Sequence, residues 1–553
     1  MLLVSALKLR RLFGVVWIIL VHVLLLMMIP NTINAADLEV FSNHHPGTTG
    51  SIATTTTTTT TKIAFGSCHK RTMVNAASTI WDAIIHKEKP QAFLWTGDAV
   101  YAPKSRGVAS LSQLEYEYQQ LLTNKSLGYY NYDTTTMTPP PPLGIYGTWD
   151  DHDYGANDAG KELTLKRERR RLFLRFLNYS QELQDKIENR SGLYHSIDFV
   201  FVNNNDDHDD HHDDDDSSKN KGDDSAQAVH TNDETIQTEQ QQQQQRIKVI
   251  ILDTRWNRDR HCIPSVASVI PFGAAISCLT RWFVAGMGGS RWWLCFPGSS
   301  SNRSSKDATT ILGEEQWTWL AQELETSTAQ VHIVISSIQV LSTNPAMEGW
   351  GHFPMERERL LQLLNSKRPS GLVLLSGDVH HAEILDPIPN PDKTTTTTTT
   401  FLQKKTAFLE VTSSGLTHSC TMPFYGKLCE PLVKHFASHR RNASDYFLGR
   451  NFGTLQVDWT NQRLVIAVHD HTGDVVLTTG WRPFAWDPLT ADELDRVPRT
   501  VNSHLVPTLV RWGILIMGVV GFLVLVWIVR GRSGWSVLAG GTKTAKDVKK
   551  KQE

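Results

Sequence analysis

The most informative stretch of this sequence is Ala92-Phe93-Leu94-Trp95-Thr96-Gly97-Asp98-Ala99-Val100-Tyr101. Its first half is apolar and aromatic, as in a buried strand, and a glycine follows where the strand should end. A carboxylate, Asp98, and a phenol, Tyr101, come soon after the glycine. Because open α/β sheets bind their ligands just beyond the ends of their strands, this stretch predicts an α/β fold and one corner of its site.

Three further segments repeat this arrangement of strand, turn and polar side chains. They are Gly66-Ser67-Cys68 after residues 62–65, Trp149-Asp150-Asp151-His152-Asp153 after residues 144–148, and Gly377-Asp378-Val379-His380-His381 after residues 372–375. One Gly-Asp turn after a strand is more often structural than catalytic, whereas four such segments are difficult to explain as turns. Carboxylates bridge cations, thiolates and phenolates suit ferric iron, and imidazole binds borderline metals, so the set predicts a site for several metal ions.

Between these segments, short apolar or β-branched runs alternate with helical patterns, which indicates an α/β domain. The predicted strands cover residues 62–65, 92–96, 144–148, 249–252, 332–336 and 372–375, and the predicted helices cover residues 111–122, 163–177, 313–324 and 356–364. Four later runs, at 408–412, 453–459, 463–469 and 475–479, have no helices between them. They are typical of the antiparallel part of a sheet.

The composition limits the organisation of the chain. With 553 residues, 40% of them hydrophobic, the chain is long enough for one large domain or two ordinary ones. Its formal net charge of -2 gives no indication of a nucleic-acid-binding surface. Threonine runs and a stretch of Asn, Asp, His and Gln predict a low-complexity linker at 37–61 and disordered inserts at 203–246 and 391–400.

Both ends of the chain carry apolar segments. Residues 1–36 have the layout of a signal peptide, with an uncleaved signal anchor as the alternative. Residues 512–529 are apolar enough to predict a transmembrane helix, and the basic tail at 530–553 predicts a cytoplasmic C-terminus. We therefore expect a single-pass membrane protein whose body, residues 62–485 followed by a linker at 486–511, is extracellular or in the secretory lumen.

The glycosylation triplets and the cysteines agree with export. Asn-x-Ser triplets begin at Asn124, Asn178, Asn189, Asn302 and Asn442. Six cysteines in an exported domain would normally suggest three disulfides, but Cys68 lies within the first site segment. Cys420 and Cys429 form the easiest local pair to propose.

The four segments resemble the motifs of the PhoD-like alkaline phosphatases, a branch of the metallophosphoesterases. The resemblance rests on Gly66-Ser67-Cys68, on Tyr101 closing the second segment, on residues 149–153 and on residues 376–380. Supporting similarity comes from Leu252-Asp253-Thr254-Arg255, from residues 312–320, and from Trp350 with Glu356-Arg357. The resemblance covers about residues 62–479 and implies a core of two packed mixed β-sheets flanked by helices.

The resemblance also implies ferric iron and calcium as cofactors, held by a defined set of residues. The implied ligands are Cys68, Asp98, Tyr101, Asp151, Asn157, Asp378 and His380. The choice between Asp151 and Asn157 stays open, and the lone histidine of the wider superfamily has no match near residues 336–339, so this set is incomplete. His381 is less suited as a ligand, because adjacent side chains of an extended segment point to opposite faces.

The implied activity is hydrolysis of phosphate monoesters or diesters by in-line attack of a metal-bound hydroxide. His152 would protonate the leaving alkoxide, and Arg255 would clamp the phosphate. A structural role is the alternative for both residues, as a hydrogen bond to a carboxylate for His152 and as an ion pair with a buried Asp for Arg255. The second function class is an inactive membrane-anchored ectodomain that serves as a binding or adhesion module.

Overall fold

The fold is described from a computed structural model of the chain. The described residues are 50–54, 60–73, 80–124, 144–201, 244–261, 265–266, 273, 276–281, 309–344, 346–387, 407–421, 426–435, 439–496, 513, 516 and 518–521. The predicted segments at 1–36, 391–400 and 530–553 lie outside them, as do most of 203–246, 497–511 and most of 512–529. Within the described part of the chain, no helix has the length and apolar character needed to cross a membrane.

The first of two sheets contains eight strands. They are β1 (Gly50–Thr54), β5 (His195–Phe201), β6 (Gln245–Ile251), β7 (Val331–Ile335), β8 (Leu372–Ser376), β9 (Ala382–Leu385), β10 (Leu409–Ser413) and β11 (Tyr446–Phe447). Their spatial order is β1-β5-β6-β7-β8-β10-β9-β11. The pairs β6–β7, β7–β8 and β8–β10 are parallel, whereas β5–β6 and β9–β10 are antiparallel, so the sheet is mixed.

The second sheet contains seven strands. They are β2 (Thr60–Gly66), β3 (Ala92–Thr96), β4 (Gly144–Thr148), β12 (Asn451–Asp458), β13 (Arg463–Asp470), β14 (Val475–Thr478) and β15 (Arg482–Pro483). Their order is β14-β13-β12-β2-β3-β4, with β15 paired to β13. The pairs β2–β3 and β3–β4 are parallel, and β12 is antiparallel to β2 and β13.

Helices cover the outer faces of the sheets. The described helices are α1 (Leu111–Thr123), α2 (Asp151–Tyr154), α3 (Lys166–Leu177), α4 (Gln181–Glu188), α5 (Glu314–Thr326), α6 (Pro354–Lys367), α7 (Gly426–His435) and α8 (Ala491–Arg496). Shorter helical turns lie at Arg71–Met73, Ala83–Glu88 and Trp350–His352. At the start of α1, Ser110 and Gln113 form a capping box, in which each side chain accepts the other residue's backbone N–H.

The two sheets pack face to face around a shared apolar layer. Along β3, Leu94 points into this layer, whereas Phe93 and Trp95 point to the opposite face and pack against α1 and α3. Along β6, Val249 faces the shared layer and Ile250 packs on the side of α5 and α6. The domain therefore has four layers, helix, sheet, sheet and helix, as the α/β prediction with two packed mixed sheets requires.

Within residues 62–485, each predicted strand and helix is present, with ends shifted by a few residues. Five of the described strands are additional to the predicted set, namely β1, β5, β9 and the two-residue strands β11 and β15. The main difference concerns β10, which the sequence groups with the antiparallel strands: it is antiparallel to β9 but parallel to β8. Whether a strand pairs in parallel or antiparallel depends on strands that are distant in the sequence. Local sequence patterns therefore do not predict it.

The low-complexity segments contribute more structure than their composition predicts. The linker at 37–61 contains β1 and the first two residues of β2, Thr60 and Thr61. Thr61 is buried, and its hydroxyl accepts a hydrogen bond from the indole of Trp459 at 2.9 Å. Because threonine is β-branched, it suits a strand once a partner is present, and Thr60 and Thr61 pair with β12. Likewise, β6 begins at Gln245, inside the predicted insert at 203–246.

Candidate metal centre

The site lies at one edge of the domain, where strands of both sheets end. Cys68, Asp98 and Asp151 follow β2, β3 and β4 of the second sheet, and Asp378 and His380 follow β8 of the first. A parallel bridge between Ser67 and Ser414 joins the ends of β2 and β10 and so connects the two sheets at this edge. The four segments therefore converge, as the sequence predicted.

Four of the converging residues have left-handed backbone conformations. The φ angles are 64° at Cys68, 51° at Asp98, 72° at Asp378 and 61° at His380. Such conformations cost about 1–3 kcal/mol each for residues other than glycine and are concentrated at functional sites. Gly97, with φ of 111°, makes the turn before Asp98 possible, because a Cβ at this position would lie 2.5 Å from the Cβ of Asp150.

Cys68, Asp98 and His380 form the first group of metal-binding side chains, with one ligand atom of each within 4.8 Å of the others. The Sγ of Cys68 lies 3.8 Å from Oδ2 of Asp98. The Tyr101 hydroxyl donates to the same oxygen at 2.8 Å and lies 3.2 Å from Nε2 of His380. A thiol, a phenol, a carboxyl group and an imidazole thus share one small volume.

Two more groups adjoin the first. The second group consists of Asp98, Asp151 and His152, and the third consists of Asp150, Asp151 and Asp378. In both groups, one ligand atom of each residue again lies within 4.8 Å of the others. Asp98 belongs to two of the three groups, and so does Asp151. Shared carboxylates are what neighbouring cations need as bridges, and the sequence predicted this role for Asp98.

The groups line a recess with a buried floor and an accessible rim. The buried floor consists of Cys68, Asp98, Asp150 and Asp151. The partly exposed rim includes Tyr101, His152, Asp378 and His380. A small molecule can therefore reach the outer members of the site, while the floor is screened from water.

Burial of several carboxyl groups together opposes their ionisation. Burial, with the charges of Asp151 and Asp150 adding to it, raises the pKa of Asp98 well above its usual value. Burial also raises the pKa of Asp378. It raises the pKa of the Cys68 thiol as well, and the negative charge of Asp98 adds to that shift. Nearby cations would reverse these shifts, because positive charge favours carboxylate and thiolate.

One oxygen on the floor supports cation binding directly. Oδ2 of Asp150 is buried and has no hydrogen-bond partner among the described residues. An unpaired carboxylate oxygen in a buried position is unfavourable unless a ligand satisfies it. The chemistry of the donors and this unpaired oxygen both fit a bound metal ion.

His152 lies on the rim beside Tyr101. The two rings have centroids 3.9 Å apart, and the backbone N–H of His152 donates to Oδ1 of Asp98 at 3.1 Å. Its Nε2 lies 3.9 Å from a carboxyl oxygen of Asp151. Burial, followed by the positive charge of Lys104, lowers the pKa of His152 well below 6.5, so the imidazole is neutral near pH 7 in the absence of a bound anion.

Arg255 is surrounded by acidic side chains, which bears on the choice between a phosphate clamp and a structural ion pair. The side chain is fully buried, its Nε donates to Asp150 at 2.7 Å and its Nη1 donates to Glu348 at 2.9 Å. Burial alone would lower the pKa of Arg255, but these two carboxylates raise it well above its usual value. This packing favours the structural alternative, because both sides of the guanidinium already have acidic partners that hold Asp150 in place.

Two other sequence candidates lie beside the site. Asn157 donates through its amide to Asp158 at 2.9 Å and to Ser265 at 3.1 Å, and it is only partly buried. In His381, Nδ1 lies 2.9 Å from the Val379 carbonyl oxygen and Nε2 lies 3.4 Å from Glu383, so both ring nitrogens lie near protein oxygens. Asp151 belongs to two of the three groups, whereas the amide nitrogen of Asn157 is already hydrogen-bonded to Asp158 and Ser265.

Sequence reasoning missed three side chains at this site. Asp150 completes the third group, and the signal for it was its place directly before Asp151. His418 lies with its ring centroid 4.0 Å from that of His380, and it follows the predicted strand at 408–412 closely enough for the strand-end rule to find it. Lys104 acts electrostatically on Asp151 and His152, and no sequence pattern marked it.

Comparisons with known proteins point to phosphatases. Residues 242–467 match the family model described as PhoD-like phosphatase, a range that includes Asp378 and His380. Over 88 residues, the chain is 34% identical to alkaline phosphatase D of Bacillus subtilis (strain 168). That match spans 14% of this chain and only 15% of the length of the relative.

Two solved structures show weaker similarity. A structure of PhoD aligns with a TM-score of 0.40 and 15% identity, covering 81% of this chain and 77% of that one. Purple acid phosphatase PPD1 from seeds of yellow lupin (Lupinus luteus) aligns with a TM-score of 0.36 and 11% identity, covering 76% and 53%. Both scores are below 0.5, so the family model and the curated relative are the matches that bear on function.

Proposed function

We propose that this protein is a metal-dependent phosphoric ester hydrolase, because residues 242–467 match the family model described as PhoD-like phosphatase. The observation that carries the proposal is the run of three adjoining groups of metal-binding side chains, which share Asp98 and Asp151. Phosphate monoesters and diesters are both candidate substrates, because the same site geometry serves either class.

The two halves of the site suit different cations. Cys68, Tyr101 and His380 offer a thiolate, a phenolate and an imidazole, which suit ferric iron. Asp150, Asp151 and Asp378 offer hard oxygen ligands, which suit calcium, and Asp98 lies between the two halves. When bound, such cations would neutralise phosphate oxygens and lower the pKa of the attacking water.

His152 is the best-placed proton donor for the leaving group. Its partly exposed imidazole lies on the rim, where the adjacent Tyr101 ring and the hydrogen bond from the His152 backbone to Asp98 fix its position. A phosphate group entering the recess would raise the pKa of His152, because a nearby negative charge favours the imidazolium form. The imidazolium would then protonate the departing alkoxide.

The activity is tested with the purified full-length chain and two chromogenic substrates, a phosphomonoester and its diester analogue. We expect turnover of at least one substrate, loss of turnover with a chelator, and recovery when metal is restored. Asp98→Asn should lower turnover more than about 100-fold, because even outer-shell partners of metal ligands are worth about 10–100-fold. Asp474→Asn, at an exposed ion pair with Lys87, is the matched control and should leave turnover unchanged.

An inactive result has a defined meaning. If the metal-loaded chain folds but hydrolyses neither ester, the proposal is rejected and the binding or adhesion module becomes the better interpretation.

The iron assignment has its own test. Tyr101→Phe should abolish any phenolate-to-iron absorption band of the purified protein while the fold stays intact. Elemental analysis of the wild-type protein should find iron together with calcium. Protein that is active without iron, and whose spectrum does not change on substitution, would rule out ferric iron.

We further propose that the site domain is exported. Cys420 and Cys429 form a disulfide with Cα atoms 5.9 Å apart, as predicted, and disulfides persist in oxidising compartments. Asn178, Asn189 and Asn442 are exposed, as acceptors of N-linked sugars need to be. A fall in apparent mass after glycosidase treatment would support export, and the membrane span at 512–529 stays a prediction.

A further inference from the structure

Lys104 lies in the loop between β3 and α1, and backbone contacts fix this loop against the segment that supplies Asp151. The N–H of Ser105 donates to the carbonyl oxygen of Val108 at 2.9 Å, which closes a tight turn directly after Lys104. Val108 forms an antiparallel bridge with Ala156. Lys104 is therefore held beside residues 151–158 by the backbone.

The amine of Lys104 is buried and unpaired. Its Nζ has no hydrogen-bond partner in the part of the chain that the structure describes, although the residue as a whole is only partly buried. Burial lowers the pKa of Lys104, while the attractive charges of Asp151, Asp98 and Asp158 oppose this shift. The amine is therefore close enough to Asp98 and Asp151, which belong to the floor of the recess, for their charges to act on it.

A buried donor without a partner costs about 1–3 kcal/mol, and more when it is charged. Most lysines avoid this cost by extending the ammonium group into water. Lys104 instead keeps its amine buried, within electrostatic range of Asp151 and of His152 on the rim, beside which the phosphate group of a substrate would enter. An anion bound there would satisfy the amine.

We propose that Lys104 binds a non-bridging oxygen of the substrate phosphate group. The inference rests on the proposed function and adds a substrate-binding residue to it. An ammonium group has three donors and no acceptor, and it recognises phosphate as a compact point charge. Because the backbone holds the loop, the cation is in position before the substrate arrives, which is the arrangement that stabilises transferring phosphoryl groups best.

The competing role for Lys104 is that of a counter-ion for Asp151 and Asp158. Arg255 already plays such a part for Asp150 and Glu348, through direct hydrogen bonds. Lys104 differs because it makes no such bond to the described residues. The two roles predict different effects of replacing Lys104. If Lys104 is a counter-ion, metal content and stability should fall. If it is a substrate ligand, phosphate binding should weaken.

The test measures binding of inorganic phosphate to the full-length, metal-loaded chain by calorimetry. Lys104→Gln should weaken phosphate binding about 10–100-fold and raise KM for the monoester by a similar factor. Metal content and unfolding temperature should stay at their wild-type values, and Lys104→Arg should recover part of the affinity. Lys87→Gln is the matched control, because Lys87 is half exposed and pairs with Asp474 at 3.0 Å.

Unchanged phosphate affinity in Lys104→Gln would overturn the inference, and a simultaneous fall in metal content would assign the counter-ion role instead. A measurement on the wild-type chain covers the case in which the variant does not fold. Inorganic phosphate should protect Lys104, but not Lys87, from acetylation as read by mass spectrometry. Equal modification of Lys104 with and without phosphate would contradict the inference.

The two proposals can fail separately, because phosphate binding needs no turnover. A chain that binds phosphate through Lys104 but hydrolyses no ester contradicts only the proposed function. A chain that hydrolyses esters and whose phosphate affinity does not depend on Lys104 contradicts only this inference.

Discussion

Asp150 and Asp151 are adjacent in the sequence but have different surroundings. Asp150 accepts hydrogen bonds from Arg255 at 2.7 Å and from Ser337 at 2.5 Å through one oxygen, which leaves the other unpaired. Asp151 accepts the backbone N–H of Asp158 at 2.7 Å. Burial, opposed by the charge of Arg255, raises the pKa of Asp150 to about 7. In each carboxyl group, one oxygen is thus hydrogen-bonded to the protein, and the other is left to bind a ligand in the recess.

The structural role of Arg255 leads to a stability prediction. Arg255→Met leaves Asp150 without its guanidinium partner and removes one of the cations around Glu348, so we expect the free energy of unfolding to fall by about 3–5 kcal/mol. Urea denaturation at pH 7 measures this change. The control is Arg463→Met, at a half-exposed pair with Asp458, which should cost less than about 1 kcal/mol. Wild-type stability combined with lost phosphate affinity would restore the predicted clamp.

Strand β9 shows how one element supports a site that it does not enter. It starts directly after His381 and pairs with both β10 and β11. Glu383 on this strand lies 3.4 Å from Nε2 of His381 and accepts hydrogen bonds from Arg440 at 2.8 Å and from Gln339 at 2.7 Å. These contacts anchor the residue next to His380 and so restrict where the imidazole of His380 lies.

The pairing of Glu383 predicts a pH-dependent stability. Burial alone would raise the pKa of Glu383, but the hydrogen bond and charge of His381 and the charge of Arg440 lower it to about 2, from 4.5. A carboxyl group whose pKa is lower in the folded state stabilises the fold above pH 4.5, and this contribution is lost as the pH falls towards 2. Glu383→Gln should therefore cost about 3–5 kcal/mol at pH 7, and progressively less below about pH 4.5.

Urea denaturation of both proteins at pH 7 and near pH 3.5 measures this difference. Glu182→Gln, at an exposed pair with Lys186, is the control and should show no pH-dependent difference from wild type. A cost for Glu383→Gln that is the same at both pH values would contradict the assignment of this ion pair.

In the whole molecule, the candidate metal centre lies between two sheets whose apolar faces pack together. Cys68, Asp98 and Asp151 come from the second sheet, and Asp378 and His380 come from the first. Without cations, this edge places several buried carboxyl groups near one another. A cation bound here would both reduce that repulsion and connect the sheets.

Metal removal should therefore destabilise the entire domain. A ligand at 100 times its dissociation constant adds about 2.7 kcal/mol to stability, so we expect a chelator to lower the unfolding temperature by at least a few degrees. Differential scanning calorimetry with and without chelator measures the shift. Asp98→Asn should lose most of this sensitivity, whereas Asp474→Asn should keep it. An unchanged unfolding temperature in chelated wild-type protein would argue against a metal that links the sheets.

Local sequence was sufficient for the parts of this protein that depend on neighbouring residues. Runs of apolar and β-branched residues predicted the major strands, because side-chain alternation and β-propensity act within a few residues. The turns after β2, β3, β4 and β8 marked Cys68, Asp98, Asp151 and Asp378, because each polar group directly follows a strand. The α/β class and the residue types of the candidate site follow from these local patterns.

Contacts between distant segments determined the rest. The bridge from Ser67 to Ser414 brings the two sheets together, and the pair formed by Arg255 and Glu348 gives that arginine a structural role. Lys104 and His418 reach the recess through loops whose path depends on where other strands end. Local patterns carry no information about such long-range partners, because the free energy of these contacts exists only after the chain has packed.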